Sequence, residues 1–165
     1  MDKDSLIEQY KILHKTKKYG ISSIKLLDVI NEIIDFQPKS VLDYGCGQSI
    51  LIDKLNIPKK YRYDPAISGI DKLPVSKVDL ILCNDVLEHI LEEDLDDLLK
   101  ELKSLSDKVV FSICIKLATH KLPNGQNAHV TIKPVDWWLN KINNIFGKAI
   151  LVKNINDVKF LCKTW

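Results

Sequence analysis

Short apolar runs alternate with amphipathic stretches between residues 40 and 115. The run Val78–Cys83 is almost wholly apolar, which is typical of a strand buried on both faces of a parallel sheet. Leu91–Leu105 places leucines on one side and charged residues on the other, which predicts an amphipathic helix. Strands that alternate with helices form right-handed βαβ units, so the pattern indicates an α/β fold with a doubly wound, mostly parallel sheet. The predicted strands are Ser40–Tyr44, Tyr61–Asp64, Val78–Cys83 and Val109–Ile115.

Two helices are predicted ahead of the sheet, within an N-terminal helical segment of residues 1–37. The first runs from Ser5 to about Lys17 and carries apolar residues on one face. The second is capped by Ser22 or Ser23 and ends before Pro38, which cannot continue a helix.

The chain after residue 115 has a different pattern. Residues 116–147 comprise a polar insertion and a helix from Pro134 through Phe146, and we expect this part to form the substrate side. Two final strands, Ala149–Val152 and Val158–Cys162, are joined by a short Asn-rich link, which predicts an antiparallel hairpin. A chain of 165 residues can build one domain with its own core but hardly two, so we expect a single domain over residues 1–165.

The charge balance is nearly even, with 24 basic and 22 acidic residues and a formal net charge of +2. Arg62 is the only arginine, so bidentate contacts to phosphate are scarce and a nucleic-acid partner is not favoured. The apolar runs are shorter than the ~20 residues that span a bilayer, and the charged N-terminus does not resemble a signal peptide, so no membrane partner is expected. Four separated cysteines indicate reduced thiols and a cytoplasmic protein, in the host cytoplasm if the source is viral.

Candidate chemistry follows the first predicted strand. Asp43 precedes Gly45-Cys46-Gly47, and a helix is predicted from Ser49 through Leu55. The glycines permit a turn that side chains would block, so a ligand can approach the backbone closely. A dinucleotide site needs a third glycine where this chain has Ile50, and Asp43 would repel a pyrophosphate. A ligand with a positively charged ammonium group is better suited to this carboxylate.

In these residues the sequence resembles the class I, Rossmann-like, S-adenosylmethionine (SAM)-dependent methyltransferases. Asp43-Tyr44-Gly45-Cys46-Gly47 matches their D/E-x-G-x-G motif, with Ser49 in place of the usual third glycine. Asp64, which ends the second predicted strand before Pro65, matches the acidic residue that binds the ribose hydroxyls. Cys83–Ile90 is similar to the family's D-V-L-E-H segment. Each motif is weak alone, but the three in order at strand ends make a strong signal over residues 39–114.

The resemblance implies that the chain binds SAM and releases S-adenosylhomocysteine (SAH). Cys46 is interpreted as a small turn residue rather than a nucleophile, because methyl transfer from SAM needs no covalent intermediate. His14 and Tyr19 either close over the cofactor from the N-terminal segment or simply pack there. The predicted cofactor-binding residues are Asp43, Tyr44, Gly45, Cys46, Gly47, Asp64, Pro65, Asn84, Asp85, Val86, His14 and Tyr19.

The chain is shorter than the family pattern between Asp64 and Asp79, where 14 residues replace a helix and a further strand. We expect that strand to be absent and Ile70–Leu73 to cover the adenine as a loop. Asn127-Ala128-His129 and Trp137-Trp138 are also similar to a compact phage and bacterial subgroup. Adjacent residues cannot share a helix face, so one tryptophan is expected in the core and the other beside the substrate pocket.

Candidate catalytic residues lie after the third strand and in the insertion. Asp85, Glu88 and His89 are at i, i+3 and i+4, on one face if the segment is helical. Similar residues hold a divalent metal in some methyltransferases of RNA 3′ ends and of quinones, and His129 is a candidate further ligand. The segment is common in members that bind no metal, so a metal is not favoured. His129 is instead the candidate general base, because imidazole titrates near neutral pH, or else a surface residue of its loop.

These features predict methyl transfer from SAM to an O or N atom of a small-molecule or sugar acceptor. The candidate catalytic residues are His129, His89 and Asp85. The alternatives are a SAM-binding sensor or partner subunit without transfer activity, and a metal-assisted RNA methyltransferase.

Overall fold

The computed structural model of the protein describes residues 2–15 and 19–165. Its first helix, α1 (Lys3–His14), begins earlier than predicted because the carboxylate of Asp2 caps it and accepts a hydrogen bond from the Ser5 amide at 2.8 Å. Lys17, the predicted end of this helix, lies outside the described residues.

Six strands form one mixed sheet, and all four predicted parallel strands are among them. Their bounds are β1 (Ser40–Tyr44), β2 (Lys59–Tyr63), β3 (Leu80–Asn84), β4 (Val109–Cys114), β5 (Ile150–Ile155) and β6 (Lys159–Lys163). The order across the sheet is β2-β1-β3-β4-β6-β5. β1 to β4 are parallel, whereas β6 is antiparallel to both β4 and β5. The predicted α/β class with a C-terminal antiparallel hairpin is therefore confirmed.

The helices differ more from their predicted bounds than the strands do. The helix predicted from Ser49 to Leu55 is a single turn, and the hydroxyl of Ser49 accepts from the Leu51 amide at 3.1 Å just ahead of it. No helix in the described part of the chain combines the length and hydropathy needed to cross a bilayer. The helices are α2 (Leu27–Ile33), α3 (Leu51–Lys54), α4 (Leu95–Leu105) and α5 (Val135–Phe146), with 3₁₀ turns at Ser22–Leu26, Leu87–His89 and Glu92–Asp94.

The segment between β2 and β3 contains neither a helix nor a strand, as predicted from its length. Residues 64–79 form turns and bends, and β2 is consequently an edge strand of the sheet. The segment folds back on itself, since the Asp64 amide donates to the carbonyl oxygen of Ile70 at 2.9 Å. The protein therefore builds the start of its sheet with one strand fewer than the family pattern implies.

The sheet separates two apolar layers, as neighbouring residues of β1 show. Leu42 packs in the layer that contains Leu99 of α4 and Trp138 of α5. Val41 packs in the other layer, with Ile30 of α2 and residues of α3. Alternation along a strand sends side chains to opposite faces, so each strand contributes to both layers.

The hairpin turn lies further along the chain than predicted. β5 continues through Ile155, and the turn is made by Asn156 (φ 52°) and Asp157 (φ 54°). Short polar side chains tolerate this left-handed conformation, which matches the twist of a tight hairpin.

The two adjacent tryptophans have different environments, as adjacency requires. Trp138 is fully buried, whereas Trp137 is partly exposed beside two lysines, with Lys133 Nζ 5.1 Å and Lys141 Nζ 5.7 Å from its ring centroid. The expected core position of one tryptophan is thus confirmed for Trp138.

We expect Trp138→Ala to lower the free energy of unfolding by about 3–5 kcal/mol, because it leaves a cavity between α5 and the sheet. Trp137→Ala is the matched control and should cost about 1 kcal/mol or less, since this ring remains partly in solvent. Urea unfolding followed by circular dichroism measures both, and equal losses would contradict the assignment of Trp138 to the core.

Candidate functional site

A cavity of about 780 Å³ opens at the carboxyl ends of the parallel strands, where open α/β sheets bind ligands. α1 covers one side of it with Leu6 and Tyr10, and the insertion after β4 contributes Leu117 and Ala128. Every predicted site residue except Asp43 lines the cavity. These are Tyr44, Gly45, Cys46, Gly47, Asp64, Pro65, Asn84, Asp85, Val86, His89, His129, His14 and Tyr19.

The turn after β1, the glycine loop of residues 45–47, needs glycine at two positions. Gly45 (φ 69°) and Gly47 (φ 54°) both have left-handed backbone conformations. A Cβ on Gly45 would lie 2.5 Å from Cγ2 of Val86, and one on Gly47 would lie 2.8 Å from the carbonyl oxygen of Gly20. The sequence suggested that a ligand would use this space, but protein atoms occupy it. The glycines thus allow the loop to pack against the N-terminal segment and the residues after β3.

The carboxylate of Asp64 fixes the glycine loop. Its Oδ2 accepts a hydrogen bond from the Gly47 amide at 2.8 Å, and its Oδ1 accepts from the Ala66 amide at 2.9 Å. His14 Nε2 of α1 lies 3.9 Å from the same Oδ2. Asp64 therefore connects the end of β2, the loop and α1 at the cavity wall, and its predicted contact with a ribose stays a prediction.

Asp43 lies behind the glycine loop instead of in the cavity wall. It is 2% exposed, and its Oδ2 has no hydrogen-bond partner among the described residues. Burial raises the pKa of Asp43 to about 7, although the charge of Arg62, its register partner on β2, acts in the opposite direction. The predicted contact of this carboxylate with the ammonium group of SAM stays a prediction.

Polar atoms without protein partners mark one part of the cavity. Asn84, at the end of β3, is 5% exposed, and neither Oδ1 nor Nδ2 of its side chain has a partner within the described residues. His14 Nδ1 is also buried and has no hydrogen-bond partner among the described residues. A buried polar group without a partner costs about 1–3 kcal/mol, so these atoms point to a ligand that supplies hydrogen bonds.

Asp85 is engaged by three protein groups. Its Oδ1 accepts from the Ser112 hydroxyl at 2.6 Å, and its Oδ2 accepts from Lys159 Nζ at 2.5 Å and from the Ser22 hydroxyl at 3.1 Å. The residue has φ 56°, so the chain changes direction immediately after β3. Asp85 thus connects β3, β4, β6 and the first 3₁₀ turn.

Glu88, His89 and His129 form a cluster in the cavity wall, with one ligand atom from each within 4.8 Å of the others. Glu88 is fully buried, and burial raises its pKa to about 8. Burial also lowers the pKa of His89 to about 4. Asp85 does not share a helix face with Glu88 and His89, because the segment forms a short 3₁₀ turn (Leu87–His89) and not the α-helix on which that grouping depended.

Aromatic residues of the N-terminal segment close over the cavity. The Tyr10 hydroxyl donates to the carbonyl oxygen of Ala128 at 2.7 Å and so joins α1 to the insertion. The Tyr19 ring lies edge-on between His14 and His120, with centroid distances of 5.1 and 5.6 Å. Tyr10 and His120 were not identified from the sequence, because no motif marks them and their partners are distant along the chain.

α5 contributes no residue to the cavity wall. It packs against α4 instead, so the expectation that one of its tryptophans lies beside the substrate pocket is wrong. Of residues 116–147, the described lining residues all belong to the insertion, from Leu117 to His129. α4 and the turn before it add the carboxylates of Asp94, Asp97 and Glu101, which the sequence analysis also missed.

Comparisons with solved structures identify the class of fold. The 1,6-didemethyltoxoflavin-N1-methyltransferase of Burkholderia thailandensis, crystallised with 1,6-didemethyltoxoflavin and SAH, aligns with a TM-score of 0.66 at 12% identity over 97% of this chain and 87% of that one. The methyltransferase domain of bacterial CtHen1-CN gives 0.60 at 17% identity, over 86% and 97%. An rRNA methylase from Escherichia coli gives 0.57 at 14% identity, over 86% and 63%, so this chain spans less than two thirds of that protein.

The family follows from the sequence. A family model described as "Methyltransferase domain" matches residues 22–144, most of the chain, and the protein belongs to this family. A search of curated proteins gives no match. The chain is therefore a member of the methyltransferase-domain family, and its fold is the class I, Rossmann-like fold of the SAM-dependent methyltransferases.

The raised pKa of Asp43 predicts a pH-dependent stability difference. The folded state holds the Asp43 proton up to about pH 7, whereas the unfolded chain releases it near its ordinary pKa of 3.8, so this group's contribution to stability is lost as pH rises through that window. We expect Asp43→Asn to gain about 2–3 kcal/mol relative to the wild type between pH 5 and pH 7.5. Urea unfolding at several pH values measures this difference, and parallel pH profiles for the two proteins would contradict it.

Proposed function

We propose that this domain transfers the methyl group of SAM to an O or N atom of a small-molecule or sugar acceptor inside the 780 Å³ cavity. One observation carries the proposal. A single cavity joins two polar regions. One is the side-chain amide of Asn84, which has no partner among the described residues, with the glycine loop; the other is the imidazoles of His89 and His129. The first region suits a polar cofactor, and the second suits an acceptor that must lose a proton.

The cofactor region is made by Asp64, Asn84 and the glycine loop. Asp64 keeps lone pairs free beyond its two backbone contacts, so it can accept from the two hydroxyls of a ribose. The side-chain amide of Asn84 can both donate and accept, as the polar groups of an amino acid or a nucleoside require. When bound, SAM supplies an electrophilic methyl group on a sulfonium, which leaves as SAH once the methyl has moved to the acceptor.

The acceptor region is made by Glu88, His89 and His129. His129 Nδ1 lies 2.6 Å from the carbonyl oxygen of Lys116, which only accepts, so Nδ1 carries the hydrogen and Nε2 keeps its lone pair. Proton transfer from the acceptor to this Nε2 is the simplest assistance that the cluster can give. It matters most for a hydroxyl acceptor, because a neutral hydroxyl is a poor nucleophile.

Size and charge favour a small acceptor over a polyanion. The cavity volume lies within the range of about 300–1,000 Å³ for small-molecule sites. Asp94, Asp97 and Glu101 line it together with Lys3 and Lys25, and the charge of a third lining lysine, Lys159, is paired with Asp85. Carboxyl groups outnumber lysines among the described lining residues, which disfavours a phosphate backbone. The 1,6-didemethyltoxoflavin bound in the B. thailandensis structure supports a small acceptor, whereas the E. coli relative is an rRNA methylase.

The test is SAH formation from SAM with purified protein and an acceptor panel of phenols, sugars, amines and a short RNA. We expect turnover with at least one small hydroxyl or amine compound. Tight SAM binding without turnover on any acceptor would favour the sensor alternative, and turnover on RNA alone would overturn the small-molecule proposal.

Asp64→Ala should weaken SAM binding by about 10–100-fold, because it removes an acceptor that the cofactor uses and frees the Gly47 amide at a cost of about 1–3 kcal/mol. Asp71→Ala is the matched control, since Asp71 is an exposed carboxylate of the same loop segment. Calorimetry with SAM and with SAH measures both variants. Equal affinities for Asp64→Ala and the control would exclude Asp64 from the cofactor region.

His129→Ala should lower turnover by about 10²-fold or more while SAM affinity stays within a few-fold of the wild type. The physical reason is that His129 belongs to the acceptor region, away from the contacts of Asp64. Lys121→Ala, an exposed change in the same insertion, controls for general disturbance of the loop. A parallel loss of SAM binding and turnover would contradict this division of the cavity.

A further inference from the structure

We propose that Glu88, His89 and His129 bind one divalent transition-metal cation. The inference rests on the proposed function and deepens it, because a cation at this position would activate the acceptor in place of direct proton transfer to His129. Among the residues that the structure describes, these three bring a carboxylate oxygen and two imidazole nitrogens within 4.8 Å of one another. Metal bonds of about 2.0–2.2 Å would draw the three groups slightly closer together.

Both imidazoles are held in the orientation that a metal ligand needs. His89 Nδ1 lies 2.8 Å from the carbonyl oxygen of Ala128, and His129 Nδ1 lies 2.6 Å from that of Lys116. A carbonyl oxygen only accepts, so each Nδ1 carries the hydrogen and each Nε2 presents a lone pair. Metal-binding histidines almost always donate their other ring N–H to a carbonyl or carboxylate in this way.

The carboxylate provides independent support. Glu88 is fully buried; its Oε1 accepts from the Cys114 amide at 2.8 Å, and its Oε2 has no partner within residues 2–15 and 19–165. Among the described residues no salt bridge to Glu88 is formed, and the amine of Lys159 contacts Asp85 instead. Burying a carboxylate oxygen without a partner is costly, and a cation between it and the two imidazoles would remove this cost.

Asp85 is not part of the proposed site, although its spacing from Glu88 and His89 suggested it. Both of its oxygens accept from Ser112, Lys159 and Ser22. Coordination by Asp85 would break the ion pair that connects β3 to β6. Its part is to hold the chain before the Leu87–His89 turn, and this positions Glu88 and His89 toward the insertion.

The donor set indicates the kind of cation. Two nitrogens and one carboxylate suit Mn²⁺, Fe²⁺, Co²⁺ or Zn²⁺, whereas Mg²⁺ and Ca²⁺ prefer oxygen ligands. Three protein ligands also leave coordination positions open for other molecules in the cavity. A hydroxyl acceptor beside such a cation would lose its proton to solvent more readily at neutral pH.

The first test measures the binding of Mn²⁺ to the chelator-treated full chain. Calorimetry gives the affinity, and electron paramagnetic resonance measures the Mn²⁺ that remains free. We expect one bound ion per chain and a loss of affinity of about tenfold or more in Glu88→Gln and in His129→Ala. Glu88→Gln keeps the shape and an oxygen for the Cys114 amide, and circular dichroism checks that it is folded. His120→Ala removes another cavity imidazole and should leave Mn²⁺ affinity unchanged.

The possible results distinguish a failure of the metal site from a failure of the proposed methyl transfer. Mn²⁺ binding that Glu88→Gln and His129→Ala do not weaken, or no binding of Mn²⁺ and Zn²⁺ at all, would overturn the metal site while SAH formation could still establish methyl transfer. Mn²⁺ binding that Glu88→Gln and His129→Ala weaken, in a protein that forms no SAH, would support the metal site and overturn the proposed methyl transfer. Titration with SAM alone, in the presence of chelator, measures cofactor binding independently of both.

Discussion

The hydrogen bond from the Gly47 amide to the Asp64 carboxylate is the contact on which the site depends. It joins the turn after β1 to the end of β2 at 2.8 Å, and it places the loop where Gly20 and His14 can pack against it. The amides of Gly45 and Cys46 donate to the Tyr63 carbonyl oxygen at 2.8 and 3.1 Å, and the Asp64 carboxylate adds the contact to the Gly47 amide. The walls of the cavity near the strand ends are therefore set by the end of β2, through the Tyr63 backbone and the buried Asp64 side chain.

The cavity has two regions with different physical character. Near Asn84 the part of the chain that the structure describes leaves hydrogen-bonding capacity unused, which is a property of a site prepared for a polar ligand. Near His129 it fixes two imidazoles through their Nδ1 atoms, so that the remaining nitrogens are available for chemistry. Asp85 lies between the regions and serves neither directly, because its charge is paired with Lys159.

A small domain must close this cavity with few elements. The segment from 64 to 79 is too short for another strand, and the sheet ends at β2. Closure comes from α1 and the insertion, which the Tyr10 hydroxyl joins through Ala128. Both coverings are far from the glycine loop along the chain, so the cofactor and acceptor regions are completed only when α1 and the insertion meet.

The sequence by itself determined the mostly parallel sheet, the C-terminal hairpin, the missing strand and the strand-end residues Asp64 and Asn84, because periodicity and strand-end motifs are local properties. Only the tertiary structure decided that Asp43 is buried behind the loop, that Asp85 pairs with Lys159, and that His129 joins Glu88 and His89. The spacing of Asp85, Glu88 and His89 did not put them on one face, because Asp85 has a left-handed backbone (φ 56°) and only Leu87–His89 forms a 3₁₀ turn. Contacts between residues 40 or more positions apart depend on how the elements pack, and no local pattern records that packing.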